Sequence, residues 1–315
     1  MSVWFFLNIW KNIDGLLGEI SAAEDRLMTA ERKSICALTM VRNDDFYLRR
    51  WVEYYGRELG KENLYIFFDG TDQKIPDFCA GTNVQAVERV LGQVVAADKG
   101  RIDLLSRKAI ELLKKYDLVI GTDADEFLVV DPRRRMSLRE YLSSQKIDVC
   151  LSGLGIDMGQ FLGKDGDSRQ AEGDIHDGET FLSQRYYGLL GTRYTKPSVI
   201  AAPVRWGRGF HRVKGHNFHI GEDLYLFHFG YFDMARIQAR FADKDRAAAG
   251  WTRHLAKRSR TIRVVTDKPA RDFDLWTSRA RRIQTIVRPP YAWNKPAMFN
   301  LDIVVRIPDR FQKII

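Results

Sequence analysis

The sequence predicts an α/β fold: a doubly wound, mostly parallel sheet flanked by helices. Two observations predict it. Between residues 34 and 154, short apolar runs with β-branched members alternate with segments of helical period. Three of those runs, ending near Val41, Phe68 and Gly121, give way to polar loops at 42–45, 69–72 and 123–126. In an open α/β sheet, loops at the carboxyl ends of parallel strands share one edge, and that edge is where ligands bind.

The elements follow in order. Val3, Phe6, Leu7, Trp10, Ile13, Leu17 and Ile20 fall on one face of a helix over residues 3–20. Such a helix packs on the domain, the commoner case, or lies in a membrane interface. Ser34–Val41 reads as the first strand, and Asn43 or Asp44 can cap the helix after it. Leu48, Trp51, Val52, Tyr55 and Leu59 form the buried stripe of that helix, and Gly60 ends it. Leu64–Phe68 and Val84–Val90 read as the next strands, and Ile102, Leu105, Ala109, Leu112 and Leu113 as a second helix. Leu118–Gly121 is a short buried strand. Ser137 and Glu140 form a capping box for a short helix, and Val149–Leu154 is another strand. From Gly155 to Gly178 the pattern dissolves, as in a lid or binding loop. Strand-like pieces return at 181–187, 198–204 and 224–229. Beyond Asp233 the chain reads as helical and basic, through 234–249 and 273–287, until Pro289-Pro290. The expected organisation is an N-terminal helix and linker (1–33), a catalytic α/β domain (34–233) and a basic, mostly helical C-terminal extension (234–315).

Composition bounds the class. Of 315 residues, 45% are hydrophobic and 29% charged, ordinary for a globular protein. Fifty Lys and Arg against 41 Asp and Glu give a net charge of +9. The excess gathers after residue 205, in RWGR, RHLAKRSRTIR and SRARR, which points to an anionic partner. The spacing of Cys36, Cys79 and Cys150 matches no zinc or redox motif; Cys36 and Cys150 read as core thiols of a reducing compartment. No run approaches the ~20 apolar residues that span a bilayer. Asn8, Lys11, Asn12 and Asp14 interrupt the N-terminal apolar residues, so that segment does not read as a signal peptide. A cytoplasmic chain is expected, peripheral at most on the inner face of the membrane, through residues 3–20 and the basic C-terminal region. His211, His216 and His219 fit no common zinc module, and no nucleic-acid module is recognisable.

The acidic stretch Asp123-Ala124-Asp125-Glu126 is the sharpest signal. Three carboxylates in four positions repel one another unless a cation lies between them. Two aspartates one residue apart point the same way from extended backbone and can share one hard divalent ion. A solvated acidic turn is the bland alternative. The apolar runs on both sides, Leu118–Gly121 and Phe127-Leu128-Val129-Val130, pin the loop and argue against it.

The ordered set of strand ends MVRND, FFDGTD and DADEFLVVDP, the helix WVEYYGRELG and the later LFHFGYFD resembles the nucleotide-sugar-dependent glycosyltransferases of GT-A fold, in the broad family 2-like group with a D-x-DEF motif. The resemblance covers about residues 34–233. It implies a GT-A-like sheet and the following roles. Arg42 and Asn43 lie beside the nucleotide base or ribose, and Asp69 hydrogen-bonds the base. Asp123 and Asp125 address ribose and metal, Asp125 being the firmer ligand, and His228 completes the metal site. Arg101 and Arg107 approach the nucleotide, and the co-substrate is a UDP- or GDP-sugar.

Chemistry leads to the same demands. Glycosyl transfer from a nucleotide diphosphate must stabilise a departing diphosphate, and a carboxylate-held Mn2+ or Mg2+ does so. An imidazole ligand tilts the choice toward Mn2+. An inverting reaction also needs a carboxylate base near the acceptor hydroxyl. Asp157, Glu172, Asp174, Asp177 and Glu179 are the candidates, Asp157 first because it directly follows a strand. The acceptor is expected to be a glycan or lipid-linked sugar of surface polysaccharide synthesis. Rival readings fit less well. A phosphohydrolase using D-x-D places its nucleophilic Asp after the first strand, and here the motif follows a fourth strand. A nucleotidyltransferase normally carries a glycine-rich loop after its first strand, and VRNDDFYLRRW has no glycine. A non-enzymatic basic membrane- or nucleic-acid-binding protein leaves the acidic loop unexplained.

Overall fold

The computed structural model describes residues 32–89, 94–242, 260–299 and 301–315. The expected helix over residues 3–20 and the end of the one expected over 234–249 lie outside them.

The chain opens with β1 (Ile35–Val41), α1 (Asp45–Leu59), β2 (Leu64–Asp69), β3 (Asn83–Val87), α2 (Val94–Leu112) and β4 (Leu118–Gly121). β1 pairs in parallel with β2 and β4, and β2 with β3. The loops after β1, β2 and β4 therefore open on one edge, as the alternating pattern predicts. They are also tied together. Arg42 donates to the Asp69 carbonyl (2.7 Å) and to both oxygens of Asp72, and the Asn43 amide donates to the Gln73 side chain (2.7 Å).

β5 (Glu126–Val130), α3 (Leu138–Ser144), β6 (Cys150–Met158), α4 (Phe181–Gln184), β7 (Tyr187–Leu190), β8 (Val199–Ile200) and β9 (Ile220–His228) build the other half. The capping box of Ser137 and Glu140 is present at the start of α3. The short β8 joins the halves, antiparallel to both β4 and β6. β6 then runs parallel to β9, which pairs antiparallel with β5. Among the described residues, ten strands form the mixed sheet. β6 runs on to Met158, past Gly155 where the sequence pattern dissolves, because pairing with β7 and β9 extends it, and residues 159–180 then carry no helix or strand. Residues 181–184 form one helical turn instead of the expected strand. Phe181 is drawn into an aromatic cluster with Phe46, Tyr47, Phe127, Phe229 and Phe232, and that burial overrides local pattern.

The expected boundary after 233 is not a break in packing. α5 (Met234–Ala242), α6 (Arg260–Asp267) and α7 (Phe273–Ile286) follow, and then β10 (Ile303–Arg306) adds an antiparallel edge strand to β7. Phe273, Val305, Phe311 and Ile315 belong to the same core as Phe127 and Leu226. The C-terminal region completes the domain, where an appended, mostly helical extension was expected. The sequence hides this because Ile303–Arg306 is too short to show an alternation. Among the described residues, no helix is long and apolar enough to cross a membrane.

Shared packing has a measurable consequence. Phe311 is fully buried against Tyr225, Phe227 and Phe273. Phe311→Ala is expected to lower the stability of the whole domain by roughly 3–5 kcal/mol in urea unfolding. An unchanged midpoint, or a separate early transition carrying the whole loss, would restore the C-terminal region as an independent appendage.

Candidate metal centre

The site is a matter of strand register. β9 lies between β5 and β6, and Glu126 stands opposite His228 while Asp157 stands beside it on the other flank. Neighbours in register project to the same face of a sheet. Glu126, His228 and Asp157 thus form one row across three strands. Asp125, one residue before β5, is held by its carbonyl, which accepts from the Phe229 amide (2.9 Å).

His228 is 4% exposed, and both faces of its chemistry are assigned by neighbours. Its Nδ1 is 2.6 Å from Asp157 Oδ1. A carboxylate accepts there, so Nδ1 carries the proton and the Nε2 lone pair is left for a ligand role. Nε2 lies 3.8 Å from Asp125 Oδ2. The ring stacks on Tyr194 with centroids 3.8 Å apart and 15° between planes. The other Asp157 oxygen accepts from the Thr261 hydroxyl on α6. Asp157, expected as the catalytic base, is therefore an orienting group for His228, with both oxygens engaged.

Asp125, Glu126 and His228 each offer one ligand atom, and these atoms lie within 4.8 Å of one another. Donors about 2.1 Å from a common ion lie roughly 3–4 Å apart, so the spacing suits a small divalent cation after slight contraction. Gly230 gives a second test of fit. A Cβ built there would sit 2.6 Å from Asp125 Oδ2 and 2.6 Å from His228 Nε2. The space between the two donors is kept open by the absence of that carbon. Two carboxylates and one imidazole form a donor set for a divalent cation.

Asp123 belongs elsewhere than expected. Its oxygens accept from Arg101 on α2 (2.9 Å) and Lys196 (3.2 Å), so it faces two cations and stays outside the three-residue group. Burial pushes its carboxyl up, but Arg101 and then Lys196 outweigh burial and hold it well below the usual range. Glu126, in the same acidic run, is the third residue of the group. It is 1% exposed and paired with Lys196. Here burial wins over Lys196, and with Asp123 adding to it the carboxyl is pushed up to about 7. Burial works against the Lys196 ammonium as well, but Glu126 and Asp123 keep it protonated. Arg240 on α5 is the third cation. It donates to Asp44 (2.9 Å) and to the Gly230 carbonyl (2.7 Å), and lies 3.9 Å from Asp125. Asp44 sits at the helix start as expected, yet its side chain caps nothing and serves Arg240.

Among the other expected site residues, Arg101 joins the cluster through Asp123. Arg107 is exposed, six positions on along α2, which turns it to a different face from Arg101. Arg42, Asn43 and Asp69 stay at the neighbouring loop pair. Glu179 is exposed, and its carbonyl is held by Arg50 on α1 (2.8 Å). Glu172 is spent on the Phe161 and Tyr186 amides, and Asp177 on Arg236. Lys196, Arg240, Tyr194, Thr261 and Gly230 escaped the sequence reading. Only Lys196 left a trace, as a single charge beside the apolar Pro197–Ala202 run.

Gly155 fixes Tyr194 in place. Its missing Cβ would lie 2.3 Å from the Thr195 nitrogen, so the 191–195 turn can press against β6 and lay Tyr194 on His228. No protein-family model matches the chain, and no curated protein matches it.

The buried Glu126 makes a pH prediction. Its folded pKa, about 7, lies above the ordinary value of 4.5. Its contribution to stability is thus complete below about 4.5 and is lost as pH rises through about 7. In chelator, Glu126→Gln is expected to gain stability relative to wild type across that window, by at most about 3 kcal/mol. A pH-independent difference in thermal unfolding between the two proteins would contradict it.

Proposed function

We propose that this protein is a metal-dependent glycosyltransferase that moves a sugar from a nucleotide-diphosphate donor to a glycan or lipid-linked acceptor. The observation that carries the reading is the Asp125–Glu126–His228 group, with its imidazole aimed by Asp157, at the carboxyl edge of parallel strands. Asp125 and His228 would hold the divalent ion, with Glu126, paired to Lys196, as the third candidate ligand. A divalent ion there neutralises the charge that develops on a departing diphosphate.

The chain's own residues do the rest. Asp157 and Thr261 lock the His228 tautomer, a support that in metal sites is worth about 10–100-fold in affinity. Tyr194 covers one face of the imidazole and keeps water from it. Arg101 and Lys196 keep Asp123 ionised and fixed. Arg240 places a guanidinium beside Asp125, suited to a phosphate oxygen. Arg42, Asn43 and Asp69, on the adjoining loops of the same edge, are the base- and ribose-binding set of this reading.

Calorimetric titration of Mn2+ in the presence of UDP or GDP, with a screen of nucleotide sugars for donor hydrolysis, tests it. Asp125→Asn and Gly230→Ala are each expected to weaken Mn2+ by more than about 100-fold, the first by removing charge and the second by filling the gap. His228→Ala and Asp157→Asn are expected to cost about 10–100-fold. Wild-type affinity in Asp125→Asn and Gly230→Ala, or full turnover in chelator, would contradict the proposal.

A further inference from the structure

The largest exposed apolar side chains gather on one segment. From Tyr291 to Phe299 burial alternates strictly. Ala292, Asn294, Pro296 and Met298 face in, while Tyr291, Trp293 and Phe299 face out, at 80%, 59% and 68% exposure. The backing is pinned. Asn294 donates to the Val213 carbonyl (2.9 Å), the Ala297 amide to the Val287 carbonyl (3.0 Å), and Arg288 to the Trp293 carbonyl (2.7 Å). The aromatic rings are thus held outward by fixed backbone. Ile286, 78% exposed, ends α7 just before them. The outward face of α7 runs back through Arg282 and Arg279, both exposed, at helical spacing.

The charge of this segment has one sign, with Glu222 from a neighbouring strand paired to Arg281 (3.2 Å). Residues 275–301 contain Arg279, Arg281, Arg282, Arg288 and Lys295 and no acidic residue. Burial, and then the charges of Arg212 and Arg208, hold the Lys295 ammonium below the usual lysine range, so the positive field continues past the segment. A second copy of the chain would have to set these charges against their own images across a two-fold axis. Tyr and Trp with outward rings, beside arginines with long stems, instead match the headgroup layer of a bilayer.

We propose that this face docks on the surface of an anionic membrane. Tyr291, Trp293, Phe299 and Ile286 enter the interface, and Arg279, Arg282 and Lys295 meet the headgroups. The proposal stands apart from the transferase reading, since it uses none of the metal-centre residues.

Flotation of the full-length protein with vesicles tests it. Phosphatidylcholine containing about one-third phosphatidylglycerol is expected to carry the protein, and pure phosphatidylcholine to leave it behind. Tyr291→Ser with Trp293→Ser is expected to lower partition at least about tenfold. Arg279→Glu with Arg282→Glu is expected to lower it at least about 25-fold, at roughly fivefold for each basic charge lost. These side chains are exposed, and an unchanged thermal midpoint checks the fold of each variant. With brominated lipid, tryptophan quenching is expected in wild type and largely absent in Trp293→Phe. No binding to anionic vesicles, unchanged binding in both double variants, or quenching that survives Trp293→Phe would overturn the proposal. So would a wild-type dimer that the serine variants dissociate, since the face would then be a protein interface.

Discussion

The register of β9 between β5 and β6 is the constraint on which the site depends. It sets Glu126, His228 and Asp157 side by side, although they are scattered over about a hundred residues of chain. A slip of one residue would turn His228 to the opposite face and bury an unpaired imidazole there. The surrounding sequence holds that register. The irregularity between Ser152 and Leu154 resets the pairing of β6, and the aromatic cluster around Phe127, Phe181 and Phe229 clamps both sides of β5 and β9. The C-terminal region adds a further clamp, because Thr261 on α6 reaches Asp157 and Arg240 on α5 reaches Asp44.

Electrostatics explains why so many cations surround so short an acidic run. A buried carboxylate without a partner is costly, and the cost falls on the folded state. Asp123 meets this with Arg101 and Lys196, and so is fixed and ionised. Glu126 shares Lys196, and burial holds its carboxyl up at about 7. Asp125 has Arg240 3.9 Å away and His228 Nε2 at 3.8 Å. The Gly230 gap opens between these donors, a place that suits a divalent cation.

Much of this was legible in the residues. The alternation of patterns gives the sheet, because each strand and helix there is long enough to show its period. The acidic loop gives Asp125, whereas His228 is reached only through the resemblance carried by LFHFGYFD, because a lone histidine in an apolar strand ordinarily reads as a core residue. The orienting role of Asp157 was not legible, since it depends on which strand lies next to β9, and pairing partners 71 residues apart leave no local mark. Lys196, Arg240 and Thr261 sit in loops and a basic region where charge usually means solvent. β10 is only four residues long, so its pairing with β7 is decided by tertiary packing.

The most direct measurement is pulsed electron paramagnetic resonance of Mn2+ bound to protein labelled with 15N-histidine. One coupled nitrogen is expected from the six histidines of the chain, lost in His228→Ala and kept in His211→Ala and His219→Ala. Bound Mn2+ with no nitrogen coupling, or coupling that persists in His228→Ala, would contradict a metal centre built on the β5–β9–β6 row.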